Sequence, residues 1–172
     1  MIPDAKFSEP DRTRRFWLTR DWSDELPVPQ KTVNFIMLNP SKADEERPDP
    51  TITRCVEFAK RWRGFSRLVA TNLIPIVQTY PARLPPWSDI DAENKAHLVR
   101  WIGEADLVVV AWGGSLKKEI AERIDLAKHI SALRENAPVD LHCIGHTKTR
   151  RRHPFHPSRV AYTEDPILWK PE

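Results

Sequence analysis

Short apolar runs alternate along the chain with longer stretches in which apolar residues recur every three or four positions. Residues 33–38 (VNFIML), 68–73 (LVATNL), 106–112 (DLVVVAW) and 139–144 (VDLHCI) read as buried strands. Each is too short for a helix and leads into turn-forming, glycine or proline-punctuated sequence. Three helical patterns separate them. Asp49 caps and Pro50 opens the first, with Ile52, Cys55, Val56, Ala59 and Trp62 on one face. Residues 91–102 form the second, with Ala96, Val99 and Ile102 inward, and residues 116–133 a long third helix carrying Ile120, Ile124, Ala127 and Ile130. Ahead of them, residues 14–20 (RRFWLTR) read as a strand or half of a hairpin. Strands alternating with helices predict an α/β fold: a three-layer α/β/α arrangement around a central, mostly parallel, four-stranded sheet. In such folds ligands bind beyond the carboxyl ends of the strands. The unusual segments Asn39-Pro40-Ser41, Asn72, Trp112-Gly113 and the loop after Gly145 all follow strands.

Length and composition narrow the classes. A chain of 172 residues suits a single domain, with residues 1–30 as an N-terminal strand or extension, 31–163 as the core and 164–172 as a tail. It is 40% hydrophobic and 30% charged, as a soluble globular protein is. The longest apolar run, residues 107–112, falls far short of the roughly 20 residues that span a bilayer. Residues 1–15 are polar and show no secretory pattern, so the expectation is a cytoplasmic monomer with no membrane partner. Cys55 and Cys143 are too few for a disulfide framework or an iron–sulfur cluster. The net charge of +3 is too mild to argue for nucleic acid by itself.

The distribution of that charge says more. Residues 146–159 (HTKTRRRHPFHPSR) carry Lys148, Arg150, Arg151, Arg152 and Arg159 with three histidines and no acid. At the end of a strand this loop would neutralise phosphates; the plain alternative is a solvated surface loop. Cys143, His146, His153 and His156 are zinc-ligand types, but His153 and His156 flank Pro154 outside any helix, and Cys143 reads as a small filler in a buried strand. Neither a metal nor another cofactor is expected. Asp44, Glu45, Glu46 and Asp49 make an acidic run that is either a charged loop with a helix cap or a source of a water-orienting carboxylate. Trp62, Trp101 and Trp112 read as packing residues rather than a stacking platform.

The blocks FIMLNPSKADE, DPTITRC and AKRW, followed by TNL, AWG and TK…HP…HP, resemble the bacterial and phage family catalogued as domain of unknown function 1643. More distantly, four blocks are similar to the uracil-DNA glycosylase superfamily in the same order. They are Met37-Leu38-Asn39-Pro40-Ser41, Thr71-Asn72, Ala111-Trp112-Gly113 and His156-Pro157-Ser158. The resemblance implies a uracil-DNA glycosylase-like fold and hydrolysis of the N-glycosidic bond of a base in DNA. On it, His156 would donate a hydrogen bond to the departing base, Asn39 would hold the attacking water, and Asn72 would read the edge of a flipped base. Lys148, Arg150, Arg151, Arg152 and Ser158 would grip flanking phosphates, and Arg159 or Val160 would wedge the base stack.

The departures shape the substrate that the resemblance implies. Asn39 stands where most members carry Asp; an amide is no base, so activation of water is modest or Asp44 or Asp49 assists. Ser41 stands where uracil-specific members carry Tyr, which opens the pocket to 5-substituted bases, and Met37 replaces the usual glycine. The expectation is therefore a DNA glycosylase-like enzyme for a damaged, mismatched or modified base. The alternatives are a non-catalytic nucleic-acid or nucleotide-binding module and a hydrolase of free nucleosides or nucleotides.

Overall fold

The computed structural model describes residues 1–25, 31–42, 44, 46, 49–62, 64–87, 89–114 and 116–170. Its centre is a sheet of seven strands: β1 (Ile2–Phe7), β2 (Arg15–Asp21), β3 (Lys31–Met37), β4 (Phe65–Asn72), β5 (Leu107–Val110), β6 (Leu141–Cys143) and β7 (Ile167–Leu168), in spatial order β1-β2-β4-β3-β5-β6-β7. Pairings β4–β3, β3–β5 and β5–β6 are parallel, whereas β1–β2, β2–β4 and β6–β7 are antiparallel. The expected four-stranded, mostly parallel sheet is thus corrected to a seven-stranded mixed one. The added strands carry little periodic signal. β1 buries only Phe7 fully, and both residues of β7 are exposed.

Helices cover both faces. α1 (Pro50–Arg61) packs Ile52, Cys55, Val56, Phe58 and Ala59 against Val33, Phe35, Leu68, Ala70 and Val109. α2 (Ala92–Glu104) and α4 (Leu126–Asn136) cover the other face, with Leu98, Ile102, Leu126 and Leu133 against Ile36, Val108 and Val110. Each fully buried aliphatic or aromatic side chain contributes about 1.5–3 kcal/mol of transfer free energy, so these two layers account for the sheet's rigidity.

Two helical expectations shift. The inward face of α2 runs through Asn94, Leu98, Trp101 and Ile102, leaving Ala96 and Val99 outside. Asn94 turns inward because its Nδ2 donates to the carbonyls of Asn72 (3.0 Å) and Leu73 (3.2 Å), tying the helix to the end of β4. The expected helix over residues 116–133 is two helices, α3 (Lys118–Arg123) and α4. Asp125 breaks it in a left-handed conformation (φ 43°), and its carboxylate accepts from the Lys128 N–H to start α4. Among the described residues no helix is long and apolar enough to cross a membrane.

Candidate active site and basic groove

The parallel strands β3 and β5 end side by side, and the chain leaving each forms part of one cleft of about 630 Å³. Its wall includes Asn39, Ser41, Asp49, His156, Ser158 and Arg159 among the residues expected from sequence. Each of the three central polar groups is held by local chemistry. Asn39 Nδ2 donates to the carbonyls of Gln78 (2.5 Å) and Pro40 (3.1 Å). That fixes the orientation of the carboxamide and leaves Oδ1 as its acceptor for a ligand or water. Asp49 Oδ1 accepts from the backbone N–H of Thr51 (2.7 Å) and Ile52 (3.0 Å), capping α1, while Oδ2 accepts from Ser41 Oγ.

His156 heads a short 3-10 turn, Pro157–Arg159, that its own ring caps. The Ser158 N–H donates to Nδ1 at 3.3 Å, and Ser158 Oγ lies 2.8 Å from the same nitrogen. With Nδ1 accepting, the neutral ring carries its proton on Nε2 and becomes a donor. Burial holds the imidazole below its ordinary pKa; nearby Asp49 opposes this, and Arg159 and Arg54 add to it. The turn is strapped to α1 by Arg54, whose guanidinium donates to the carbonyls of Pro157 (2.8 Å) and Val160. Gly113 (φ 94°) backs onto this histidine: a Cβ there would stand 3.5 Å from His156 Cβ.

Other expected residues lie elsewhere. Asn72 is fully buried, outside the cleft wall, and its carboxamide finds no partner among the described residues. The backbone pairing with the chain leaving β3 continues past it, with Leu73 N–H donating to Met37 O and Ile74 N–H to Leu38 O. Val160 is 8% exposed and packs in the α1-side core, which removes it from the surface a wedge requires. Asp44 stays outside the cleft, with Oδ1 accepting from the Glu46 N–H. Glu45 lies outside the described residues. Trp101 is buried and Trp62 packs against the core, as packing residues should; Trp112, packed edge-on to Trp169 in the other core cluster, also forms part of the cleft wall.

The basic loop is a hairpin-like excursion. Phe155 N–H donates to Gly145 O, Thr147 N–H to His153 O and Arg152 N–H to Thr149 O, which puts residues 150–152 at its tip. Lys148, Arg150 and Arg152 line neither hollow. Arg151 turns into a second groove of about 870 Å³, which shares Gly113 and Leu116 with the cleft.

Sequence reasoning missed four cleft residues: Arg15, Gln78, Tyr80 and Lys117. Arg15 is 1% exposed, an expensive place for a guanidinium, and it reaches the cleft because its own N–H donates to Pro75 O. Gln78 and Tyr80 come from the proline-punctuated loop, pinned over the cleft by the Gln78 N–H donating to Pro40 O at 2.8 Å. No local pattern announces this placement; the proline spacing of residues 75–86 was the one available signal.

A family profile described as protein of unknown function (DUF1643) matches residues 15–158. The chain belongs to DUF1643. The span matched by DUF1643 begins at buried Arg15 and ends at Ser158, beside the His156 ring, so both limits fall in the cleft wall. No curated protein and no solved structure matches the chain.

Proposed function

We propose that this protein hydrolyses the N-glycosidic bond of a damaged, mismatched or modified base in DNA. The observation that carries this reading is the presence, in one cleft, of a fixed acceptor at Asn39 Oδ1 and a neutral-imidazole donor at His156 Nε2. Breaking the bond between C1′ and the base leaves negative charge on the base and positive charge on the sugar. A preorganised donor at the base and an acceptor that holds water near C1′ serve those two charges: the bond from C1′ to the base breaks, the water's hydroxyl takes its place on C1′, and the water's remaining proton passes to the departed base anion. The cleft volume lies within the range of small-ligand sites and exceeds the needs of one pyrimidine. Ser41, held by Asp49, leaves room beside the base for a substituent.

Asp49 is engaged as a helix cap, so its role here is electrostatic: it steadies developing positive charge from across the cleft rather than taking a proton. One observation favours a second reading, hydrolysis of a free nucleoside or nucleotide. Gln78, Thr79, Tyr80, Pro81 and Ala82 wall the cleft on one side, as a cover over a small ligand would. The deciding experiment is mass spectrometry of free base released from DNAs carrying uracil, mismatches or 5-modified pyrimidines, beside free nucleotides, with His156→Ala as control. Release from DNA that vanishes in the variant supports the proposal. Release from free nucleotides alone selects the second reading, and no release from either leaves a binding module.

A further inference from the structure

The groove of about 870 Å³ on the far side of Gly113 has the make-up of a track for a flexible polyanion with apolar faces. Leu116, Ala121, Leu126, Ala127, Ile130 and Trp169 supply its apolar lining. Cations reach it from three separate elements: Lys118 from α3, Arg134 from α4 and Arg151 from the tip of the basic loop. Lys118 pairs with Glu122 at 3.6 Å, and the Asp125 carboxylate caps α4. Arg134 and Arg151 are exposed and have no ion-pair partner among the described residues. The two hollows share Gly113 and Leu116 in their linings, which makes them neighbours on the surface.

Resting on the reading of the cleft given above, we infer that this groove holds the nucleotides flanking the target in single-stranded DNA, with Arg134 and Arg151 on phosphates and the apolar lining against base faces. Apolar wall beside guanidinium is what an unpaired strand needs, since its bases expose flat apolar faces that a duplex hides within its stack. Two further features point away from duplex. The loop bearing Tyr80 walls one side of the cleft, and Val160 lies in the core.

The test measures fluorescence anisotropy of an oligothymidine strand of about 12 nucleotides, and of its duplex with oligoadenine, across a salt series. Wild type is compared with Arg134→Ala/Arg151→Ala and with the charge reversal Arg134→Glu/Arg151→Glu. Both positions are exposed, and matching circular dichroism and melting curves establish that the variants fold. The inference expects tighter binding of the single strand than of the duplex. It also expects at least a tenfold loss in the double alanine variant, with the slope of log affinity against log salt shallower by about 1.4, two phosphates at about 0.7 each. Unchanged affinity and slope in both variants, or a preference for duplex, overturns it. Base release by the wild type is scored separately. Strand binding that depends on the two arginines without release of any base leaves the groove standing and sinks the glycosidic reading; release with binding indifferent to the arginines does the reverse.

Discussion

The cleft and the groove lie on opposite sides of Gly113 and are built in opposite ways. In the cleft every polar group that would touch a reacting atom is already committed to a neighbour: Asn39 to two loop carbonyls, Asp49 to the start of α1, His156 to the Ser158 N–H. In the groove the charges end long side chains in solvent; the Lys118 side chain is 83% exposed. The first arrangement suits chemistry, where a donor must be in place before charge develops. The second suits grip, where long-range attraction to phosphate tolerates movement of the cation. On the proposed reading, backbone capping and long-range charge would serve different tasks a few residues apart.

The strongest way to break this contrast is His156→Ala. It should lower base release by at least about 100-fold, the usual cost of losing one preorganised donor, while single-strand affinity stays within about twofold, well under 1 kcal/mol. A parallel loss of both would make the histidine a strut for the 3-10 turn and nothing more. Next in size is the packing of Gly114 in the groove lining. A Cβ on Gly114 would lie 2.5 Å from Thr147 Cγ2 and 3.4 Å from the His153 carbonyl. Gly114→Ala should cost about 1–3 kcal/mol in urea melts, and Thr147→Ser, which deletes that methyl, should recover much of it in the double variant. Additive effects would deny the contact.

Asp49 separates cap from charge. Asp49→Ala should lose about 1 kcal/mol, whereas Asp49→Asn keeps the cap and most of the stability. Because the Asp49 carboxylate raises the His156 pKa against burial, the Asn variant should move the acid limb of the activity profile to still lower pH. An unmoved limb would show that the titration belongs to another group.

The smallest expected effect concerns acid stability. Burial lowers the pKa of His97, His153 and His156 below the ordinary 6.5. Below that pH the unfolded chain binds protons that the native protein does not, so stability falls as pH drops from 6.5 toward the lower native values. Urea midpoints at about pH 7.5 and about pH 5.5 test this. Replacing His153 by Gln should flatten the decline slightly, and an unchanged decline would exclude that residue.

Much of the architecture was legible because burial leaves a periodic trace. The four apolar runs are the strands β3, β4, β5 and β6, and Asp49-Pro50 opens α1 as a cap followed by proline should. The edge strands were invisible because β1 and β7 bury almost nothing and are ordered by ladder hydrogen bonds that any residues can make. At the site, Asn39, Ser41 and His156 could be named in advance from the blocks that resemble a known superfamily, and Asp49 from its place as a helix cap closing an acidic run; all four line the cleft. What local chemistry cannot report is which residues at a strand end stay buried. Hence Asn72 was expected in the site and lies fully buried outside the cleft wall, and Arg15 was read as an ordinary strand residue and stands 1% exposed in the cleft wall.

Local pattern by itself therefore determined the α/β class, the four central strands and the turn after β3 that carries Asn39, because side-chain periodicity and turn chemistry act within a few residues. Only the tertiary structure decided that residues 39, 49 and 156 share one cleft, that the loop with Tyr80 forms part of its wall, and that Arg134 and Arg151 face a common groove. Those relations depend on strand order and on contacts such as Arg54 to Pro157 and Gln78 to Pro40. The free energy of such contacts depends on the packing of the whole sheet, which no short window of sequence contains.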